Sequence, residues 1–182
     1  MVSMTGELGE RLVGWALPAL RLPSTDGGAV GLAGLEGSMV DMPGVTIPEG
    51  WRETPGLSGC TAEACGFREA HGEMADLGAR IVSVSVQDTA YQREFVRRFH
   101  PPFALLSDAA LRPARALELP PVTFGGETLL RRPTLIADPR GVARKVDDVI
   151  PNPGRHALEV AHCLEGARRS WTWRGAIGTP SR

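Results

Sequence analysis

Two of the three cysteines in this 182-residue chain, Cys60 and Cys65, lie five positions apart in the segment LSGCTAEACGFRE. Cys60 follows Gly59 at the point where a glycine-rich segment gives way to a helical pattern. The free N–H groups and the dipole at a helix N-terminus stabilise an anion, so we expect the Cys60 thiol to ionise easily. The thiolate is the nucleophilic form of cysteine, and the pattern is therefore typical of a reactive thiol.

Other uses of the cysteine pair stay open at this point. Five residues of helix rise about 7.5 Å, so a disulfide between the two would require the first helical turn to unwind. Both could instead be small buried hydrophobic side chains. A metal site needs about four ligands, and the available candidates lack the usual zinc-site spacing. Those candidates are Cys60, Cys65, His71 and Cys163.

The third cysteine and the histidines have simpler interpretations. Cys163 lies beside Val160 and Leu164 on the apolar face of the last predicted helix, so we expect it in the core. None of the four histidines belongs to a recognisable catalytic dyad pattern, and each is predicted to be a surface or helix-capping residue rather than a base. They are His71, His100, His156 and His162.

The composition is that of an ordinary globular domain. Hydrophobic residues make up 42% and charged residues 23%, and the formal net charge of -1 gives no overall attraction to nucleic acid or to an anionic membrane. No run approaches the roughly 20 apolar residues that span a bilayer. The first twenty residues carry charges where a signal peptide needs an apolar stretch. An odd, small number of cysteines favours a reducing compartment, so we expect a cytoplasmic protein.

The elements that must position the thiols alternate between helices and strands. An apolar stripe from Thr61 to about Leu77 predicts a helix. It is followed by a predicted strand, helix, strand, short helix, a turn at Gly125–Gly126, a strand pair around the DPRG turn and a closing helix. The segments are ARIVSVSVQ (79–87), TAYQREFVRRFH (89–100), FALLSD (103–108), AALRPARALEL (109–119), TLLRRPTLIADPRGVARKVDDV (128–149) and GRHALEVAHCLEGA (154–167).

This order predicts an α/β fold, a thioredoxin-like sandwich whose central mixed sheet has helices on both faces. We expect a loosely held leader in residues 1–16, the domain in residues 17–167 and a tail in residues 168–182. Within the domain, Gly27–Gly28 predicts a small hairpin before a short helix, and the prolines and glycines of residues 38–59 predict a long loop.

The segment GCTAEACGFRE closely resembles the active site of the peroxiredoxins, in particular the bacterioferritin-comigratory, thioredoxin-dependent (Q-type) branch. In that branch a peroxide-attacking cysteine is followed by Thr, by Glu or Gln, and by a resolving cysteine five residues on. Residues 17–37, 82–108 and 131–141 also resemble segments of this family, so the similarity covers most of the chain.

The resemblance implies that Cys60 attacks the peroxide and that Cys65 condenses with the resulting sulfenic acid to form a disulfide. Arg132, in the RPT segment, would stabilise the thiolate and polarise the peroxide, although Arg131 competes for that role and a solvated strand-end cation is the alternative. Glu63 would orient this arginine, or else be an ordinary acid in the first turn of a helix. Gly59 and Thr61 would support the site.

The resemblance also implies a peroxide substrate and a thioredoxin-like reductant as partners. We expect no cofactor, no nucleic-acid partner and no membrane partner, and either a monomer or a homodimer. The alternative class is a catalytically impaired peroxiredoxin-like domain that acts as a redox-sensing or protein-binding module.

Two departures from the family motivate that alternative. Peroxiredoxins normally have Pro-x-x-x-Thr before the attacking cysteine, but here Glu53 and Leu57 occupy those positions. The segment of residues 37–46 is also shorter than the corresponding segment of the family, and SMVDM (38–42) is short and polar for a buried parallel strand. We therefore expect the sheet to lack a strand at this point and its neighbours to have exposed edges.

Overall fold

The computed structural model describes residues 7–35, 38–41, 60–124, 127–130, 133–148 and 150–167. The helices in these ranges are α1 (Glu7–Leu12), α2 (Cys60–Asp76), α3 (Thr89–Phe99), α4 (Arg112–Ala116) and α5 (Pro153–Ala167), with a 3-10 helix at Leu32–Gly34. The strands are β1 (Arg21–Pro23), β2 (Ala29–Gly31), β3 (Ser38–Asp41), β4 (Arg80–Ser85), β5 (Ala104–Ser107), β6 (Pro121–Phe124), β7 (Glu127–Leu130), β8 (Thr134–Ala137) and β9 (Ala143–Asp147).

A five-stranded sheet in the order β5-β4-β3-β8-β9 organises the domain. Strands β3, β4 and β5 are parallel, whereas β8 runs antiparallel to both β3 and β9. Parallel neighbours need long crossover connections, which is why helices lie between β3, β4 and β5 in the chain. The predicted mixed sheet of an α/β domain is confirmed.

The prediction that the sheet lacks a strand at residues 38–42 is wrong. Residues Ser38–Asp41 form β3, the central strand, which pairs with β4 on one side and β8 on the other. A strand with partners on both sides has its backbone groups bonded by neighbours, so four residues suffice where a longer apolar run was expected. The predicted long loop over 38–59 is therefore wrong for residues 38–41, and residues 42–59 lie outside the described part of the chain.

The two faces of the sheet bury separate hydrophobic cores. Leu135 and Ala137 of β8 pack into one core, together with α1 and α4 side chains, and Ile136 packs into the other, together with α2 and α5. Successive side chains of a strand point to opposite faces. Thr134 therefore points to the same face as Ile136, toward α2 and α5.

Helix α1 departs from the expected leader. Leu8 and Leu12 are buried in the first core, and α1 packs against β9. Gly9 makes this contact close, because a Cβ there would lie 2.9 Å from the carbonyl oxygen of Val146. Residues 7–12 thus pack as part of the domain rather than as a loosely held segment.

Most of the remaining elements follow the sequence patterns. The hairpin around Gly27–Gly28 forms as β1 and β2, and the strand pair around DPRG forms as β8 and β9. Gly141 closes that second turn with φ of 72°, a left-handed conformation that glycine adopts without strain. The hairpin of β6 and β7 was not predicted as such, and the expected turn at Gly125–Gly126 lies outside the described residues.

Asp138 holds the β8–β9 turn together. Its carboxylate accepts hydrogen bonds from the backbone N–H groups of Arg140 and Val142 and from the guanidinium of Arg144. Burial acts to raise the pKa of Asp138, but the bonds from Arg144 and the two backbone groups outweigh it, so the net effect is a lowered pKa. The carboxylate is therefore charged and bound at neutral pH.

Candidate active site

Both cysteines of the opening motif belong to helix α2. Cys60 is its first residue and Cys65 lies in its second turn, so the predicted helix start is confirmed to within one residue. The first N–H groups of a helix have no partner within the helix, and they favour an anion at that end. The side chains of Cys60 and Thr61, and residues Gly59, Arg131 and Arg132, lie outside the described residues.

Cys65 and Cys163 are free thiols that are neither fully buried nor fully exposed. Cys163 packs against the core between α2, α5 and the sheet, in keeping with its predicted position. Burial raises the pKa of the Cys163 thiol, which disfavours the reactive thiolate. Cys163 therefore has the character of a packing residue.

Glu63 lies in the first turn of α2 and is completely buried, with a relative exposure of 0%. It belongs to the face of α2 that also buries Phe67, Ala70 and Met74. A solvated first-turn acid would point outward, so that simpler interpretation does not describe Glu63. Carboxylates are rarely fully buried unless they have partners, so this one sits in a specific polar environment.

His156, near the start of α5, supplies part of that environment. Its Nε2 lies 2.9 Å from Thr134 Oγ1, within hydrogen-bond distance, and 4.0 Å from Glu63 Oε1. Its ring and the ring of Phe67 form a T-shaped pair with centroids 5.7 Å apart. The imidazole thus joins the first turns of α2 to the first residue of β8. We call Glu63, Thr134 and His156 the buried polar cluster.

The pKa of His156 is lowered, chiefly because burial disfavours the charged imidazolium. Lys145 lowers it further, whereas Asp147 and Glu159 oppose the shift. At neutral pH the ring is therefore uncharged, with one nitrogen as donor and the other as acceptor. Such a ring bonds a hydroxyl as donor or as acceptor, depending on its tautomer.

The prediction that all four histidines are surface or capping residues is wrong for His156, whose relative exposure is 2%. His100 does cap α3, with a left-handed φ of 48°, and His162 is exposed. The signal for His156 was present in the spacing, because it precedes Val160 by four residues and Leu164 by eight on the buried face of α5. Glu63 precedes Phe67 by four residues in the same manner.

A close contact between two glycines brings α2 and α5 together at the buried polar cluster. A Cβ on Gly66 would lie 3.3 Å from the carbonyl oxygen of Gly154 and 3.5 Å from the Cβ of Ala157. Small residues at a helix–helix contact allow the backbones to approach. The approach places His156, two residues after Gly154, within reach of the first turn of α2.

The described residues contain neither a metal-binding group nor a membrane-spanning helix. Within them, no group of three or more His, Cys, Asp and Glu side chains is arranged to hold a metal ion. In the same part of the chain, no helix combines the length and apolar character needed to cross a bilayer.

Comparison with known proteins gives consistent results. The model of the AhpC/TSA family matches residues 13–146. A putative peroxiredoxin Q, chloroplastic, of Oryza sativa subsp. indica is 32% identical over 152 residues, which are 84% of this chain and 66% of that protein. Peroxiredoxin Q, chloroplastic, of Populus jackii is 30% identical over 152 residues, 84% of this chain and 67% of that protein. The chain thus spans about two thirds of the length of these curated relatives.

Solved structures show the same fold at lower identity. The peroxidoxin BcpB of Mycobacterium tuberculosis superposes with a TM-score of 0.71 at 22% identity, covering 85% of this chain and 96% of that one. The bacterioferritin comigratory protein of Xanthomonas campestris gives a TM-score of 0.71 at 21% identity, covering 86% and 99%. The chain belongs to the AhpC/TSA family, and the curated relatives that it matches are peroxiredoxins of the Q type.

Proposed function

We propose that the protein is a thiol-dependent peroxidase that reduces hydrogen peroxide or organic hydroperoxides. The observation that carries the proposal is the position of Cys60 as the first residue of α2 in a chain of this family. A thiolate at a helix N-terminus is stabilised by the dipole and the free N–H groups, and it is the form that attacks a peroxide.

The reaction we propose has two steps within the chain. The Cys60 thiolate attacks one peroxide oxygen, the O–O bond breaks, and the other oxygen takes up a proton and leaves as water or an alcohol. Cys60 is thereby oxidised to a sulfenic acid. The Cys65 thiol then attacks the Cys60 sulfur, an S–S bond forms, and the sulfenic oxygen leaves as water. A dithiol reductant of the thioredoxin type would reduce this disulfide and restore both thiols.

The remaining site residues are proposed on the family pattern. Arg132 would stabilise the thiolate and the developing negative charge, with Arg131 as the competing cation, and Glu63 would orient the guanidinium. Gly59 and Thr61 would shape the approach to Cys60. The full burial of Glu63 supports an organising role rather than a solvated one.

The cellular setting belongs to the same proposal. The low cysteine count favours a cytoplasmic protein, whereas the plant relatives are chloroplastic. A monomer and a homodimer both suit the proposed chemistry, because both reacting cysteines lie in one chain.

The alternative of an impaired, protein-binding domain has lost one of its two supports. It depended on a missing sheet strand, and β3 forms that strand. What remains of the argument is that Glu53 and Leu57 stand where the family has Pro and Thr.

The peroxidase proposal is tested by stopped-flow measurement of peroxide consumption. We expect Cys60→Ser to abolish the reaction and Cys163→Ser to react as the wild type does, since Cys163 is a packing residue. A Cys60→Ser protein that consumes peroxide at the wild-type rate, or a wild-type protein that is not oxidised, would overturn the proposal.

A further inference from the structure

The buried polar cluster places three polar side chains in the core. Burying polar side chains costs stability unless they are arranged to interact with one another or with other polar groups. Its three members come from three different elements: Glu63 from α2, Thr134 from β8 and His156 from α5. All three are almost fully buried, with relative exposures of 0%, 0% and 2%. The cluster therefore connects three elements through polar side chains, in addition to their hydrophobic packing.

The first turn of α2 and the start of β8 both lie close in the chain to residues of the proposed site. Glu63 lies three residues after Cys60 in the same helix, and Thr134 lies two residues after Arg132 in the chain. The Nε2 of His156 lies at hydrogen-bond distance, 2.9 Å, from Thr134 Oγ1, and it faces Glu63 Oε1 at 4.0 Å. The imidazole is the group that spans the space between the start of α2 and the start of β8.

The ring itself is fixed by its surroundings. The rings of Phe67 and His156 form a T-shaped pair. The close contact of Gly66 with Gly154 allows α2 and α5 to lie near each other at this point. The charged groups that act on the ring come from β9 and from α5 itself, and the carboxyl group of Glu63 on α2 also faces it. They are Asp147, Lys145 and Glu159.

From this geometry we propose that His156 is a positioning residue for the reactive thiol: it holds the first turn of α2 against the start of β8 and so sets the environment of Cys60. This inference rests on the proposed peroxidase function and extends it to a residue outside the active-site motif. His156 acts through Glu63 and Thr134 and does not itself contact the peroxide. Misplacing a reacting group by about 1 Å costs up to about 100-fold in rate.

The test uses chains with Cys65→Ser and Cys163→Ser, so that Cys60 is the only thiol. The pH dependence of alkylation by iodoacetamide is measured first, because it reports the ionisation of Cys60 without any peroxide. In this background we expect His156→Leu to move the alkylation midpoint to higher pH by about 1, which lowers the thiolate fraction at acidic pH about tenfold. His156→Gln, which keeps a polar group, should lie between His156→Leu and the parent.

A matched pair of substitutions at Thr134 distinguishes the effect of losing the hydrogen bond from the effect of changing the side-chain volume. Thr134→Val removes the hydroxyl and should shift the alkylation midpoint in the same direction as His156→Leu, whereas Thr134→Ser keeps the hydroxyl and should shift it less. The surface control is His162→Leu on the same helix, at a side chain that is 90% exposed, and it should match the parent. Thermal unfolding of each variant verifies that only folded protein is compared.

The second measurement is the rate of sulfenic acid formation with hydrogen peroxide, followed by trapping with dimedone. We expect His156→Leu and Thr134→Val to be slower than the parent by about 10- to 100-fold. Folded His156→Leu with the parent's alkylation profile and oxidation rate would overturn the inference. If His156→Leu does not fold, Thr134→Val decides in its place, and a parental profile there has the same consequence. A parent that resists peroxide while alkylation shifts as expected would refute the proposed function and leave the positioning role standing.

Discussion

Cys60 and Cys65 lie on one uninterrupted helix, Cys60–Asp76, so the two residues proposed to form a disulfide are held apart by helical structure. Five residues of helix rise about 7.5 Å, and the Cα atoms of a disulfide are at most about 7 Å apart and usually nearer 5.5 Å. The first turn and a half of α2 must therefore unwind for the bond to form. We expect the same motion to withdraw Glu63 from its place beside His156.

We predict that oxidation exposes this part of α2. After one equivalent of peroxide, hydrogen exchange measured by mass spectrometry should increase over residues 60–66, because amides released from the helix lose their bonds. The mass of the chain should fall by that of two hydrogen atoms. In Cys65→Ser neither change should occur. Disulfide formation with unchanged protection of residues 60–66 would show that the helix does not unwind.

The buried histidine predicts a specific acid sensitivity. The folded-state pKa of His156 is lowered from 6.5, so below pH 6.5 the unfolded chain takes up a proton that the folded chain resists. Stability is therefore lost as the pH falls, by up to about 1.4 kcal/mol per pH unit.

Urea unfolding at pH 7.5 and pH 5.5 measures this effect. The difference in unfolding free energy between the wild type and His156→Gln should shrink at the lower pH, since the variant has no imidazole to titrate. His162→Gln, altered at an exposed site on the same helix, should parallel the wild type. An equal acid response in the wild type and His156→Gln would contradict the prediction.

A third prediction concerns the turn between β8 and β9. Asp138→Asn removes the charge that binds Arg144. The Asp138 side chain is only 6% exposed, so the substitution should lower the unfolding free energy at pH 7 by about 1.5–3 kcal/mol. Because the pKa of Asp138 is lowered from 3.8 in the folded state, this contribution is present above pH 3.8 and lost as the pH falls through the folded-state value. Chemical denaturation across that range measures it. Asp76→Asn, at an exposed site, should change the unfolding free energy little, both at pH 7 and below pH 3.8. Equal effects of the two substitutions would count against a role for the charge of Asp138.

Two glycine substitutions in helices should have opposite effects. Gly9→Ala places a Cβ 2.9 Å from the Val146 carbonyl oxygen, and should destabilise the protein by about 1–3 kcal/mol despite its better helix propensity. Gly72→Ala in α2 meets no atom within 4 Å and should stabilise the protein by up to about 1 kcal/mol. Thermal unfolding of both proteins gives the comparison, and a stabilised Gly9→Ala would show that α1 is not held against β9.

Local patterns in the sequence predicted the elements that carry their own periodicity. Phe67 and Met74 mark the buried face of α2, and Asp88 begins α3 by accepting a hydrogen bond from the Tyr91 backbone N–H. These features need only near neighbours in the chain. The resemblance of GCTAEACGFRE to the peroxiredoxins predicted the family, which the comparisons confirm.

What the sequence did not predict depends on residues that are distant in the chain. Strand β3 is short and polar, and it becomes a strand because β4 and β8 lie on either side of it. His156 becomes buried because Gly66 and Gly154 let two helices approach. The burial of Glu63 is a property of that same approach. The pairing of β3 and the approach of α2 to α5 are not indicated by the nearby sequence strongly enough to outweigh the usual preference of polar residues for the surface.

The pairing of β3 also has a consequence for how the chain is made. Met39 pairs with Ile81 on one side and with Ile136 on the other, so the sheet cannot close at its centre until both later segments are available. Contacts between such distant positions slow folding, because long loops must close first. During synthesis from the N-terminus, β3 leaves the ribosome early and keeps an open edge until β8 follows it. The four residues that complete the sheet are therefore exposed to wrong partners in a nascent chain until β8 has been made.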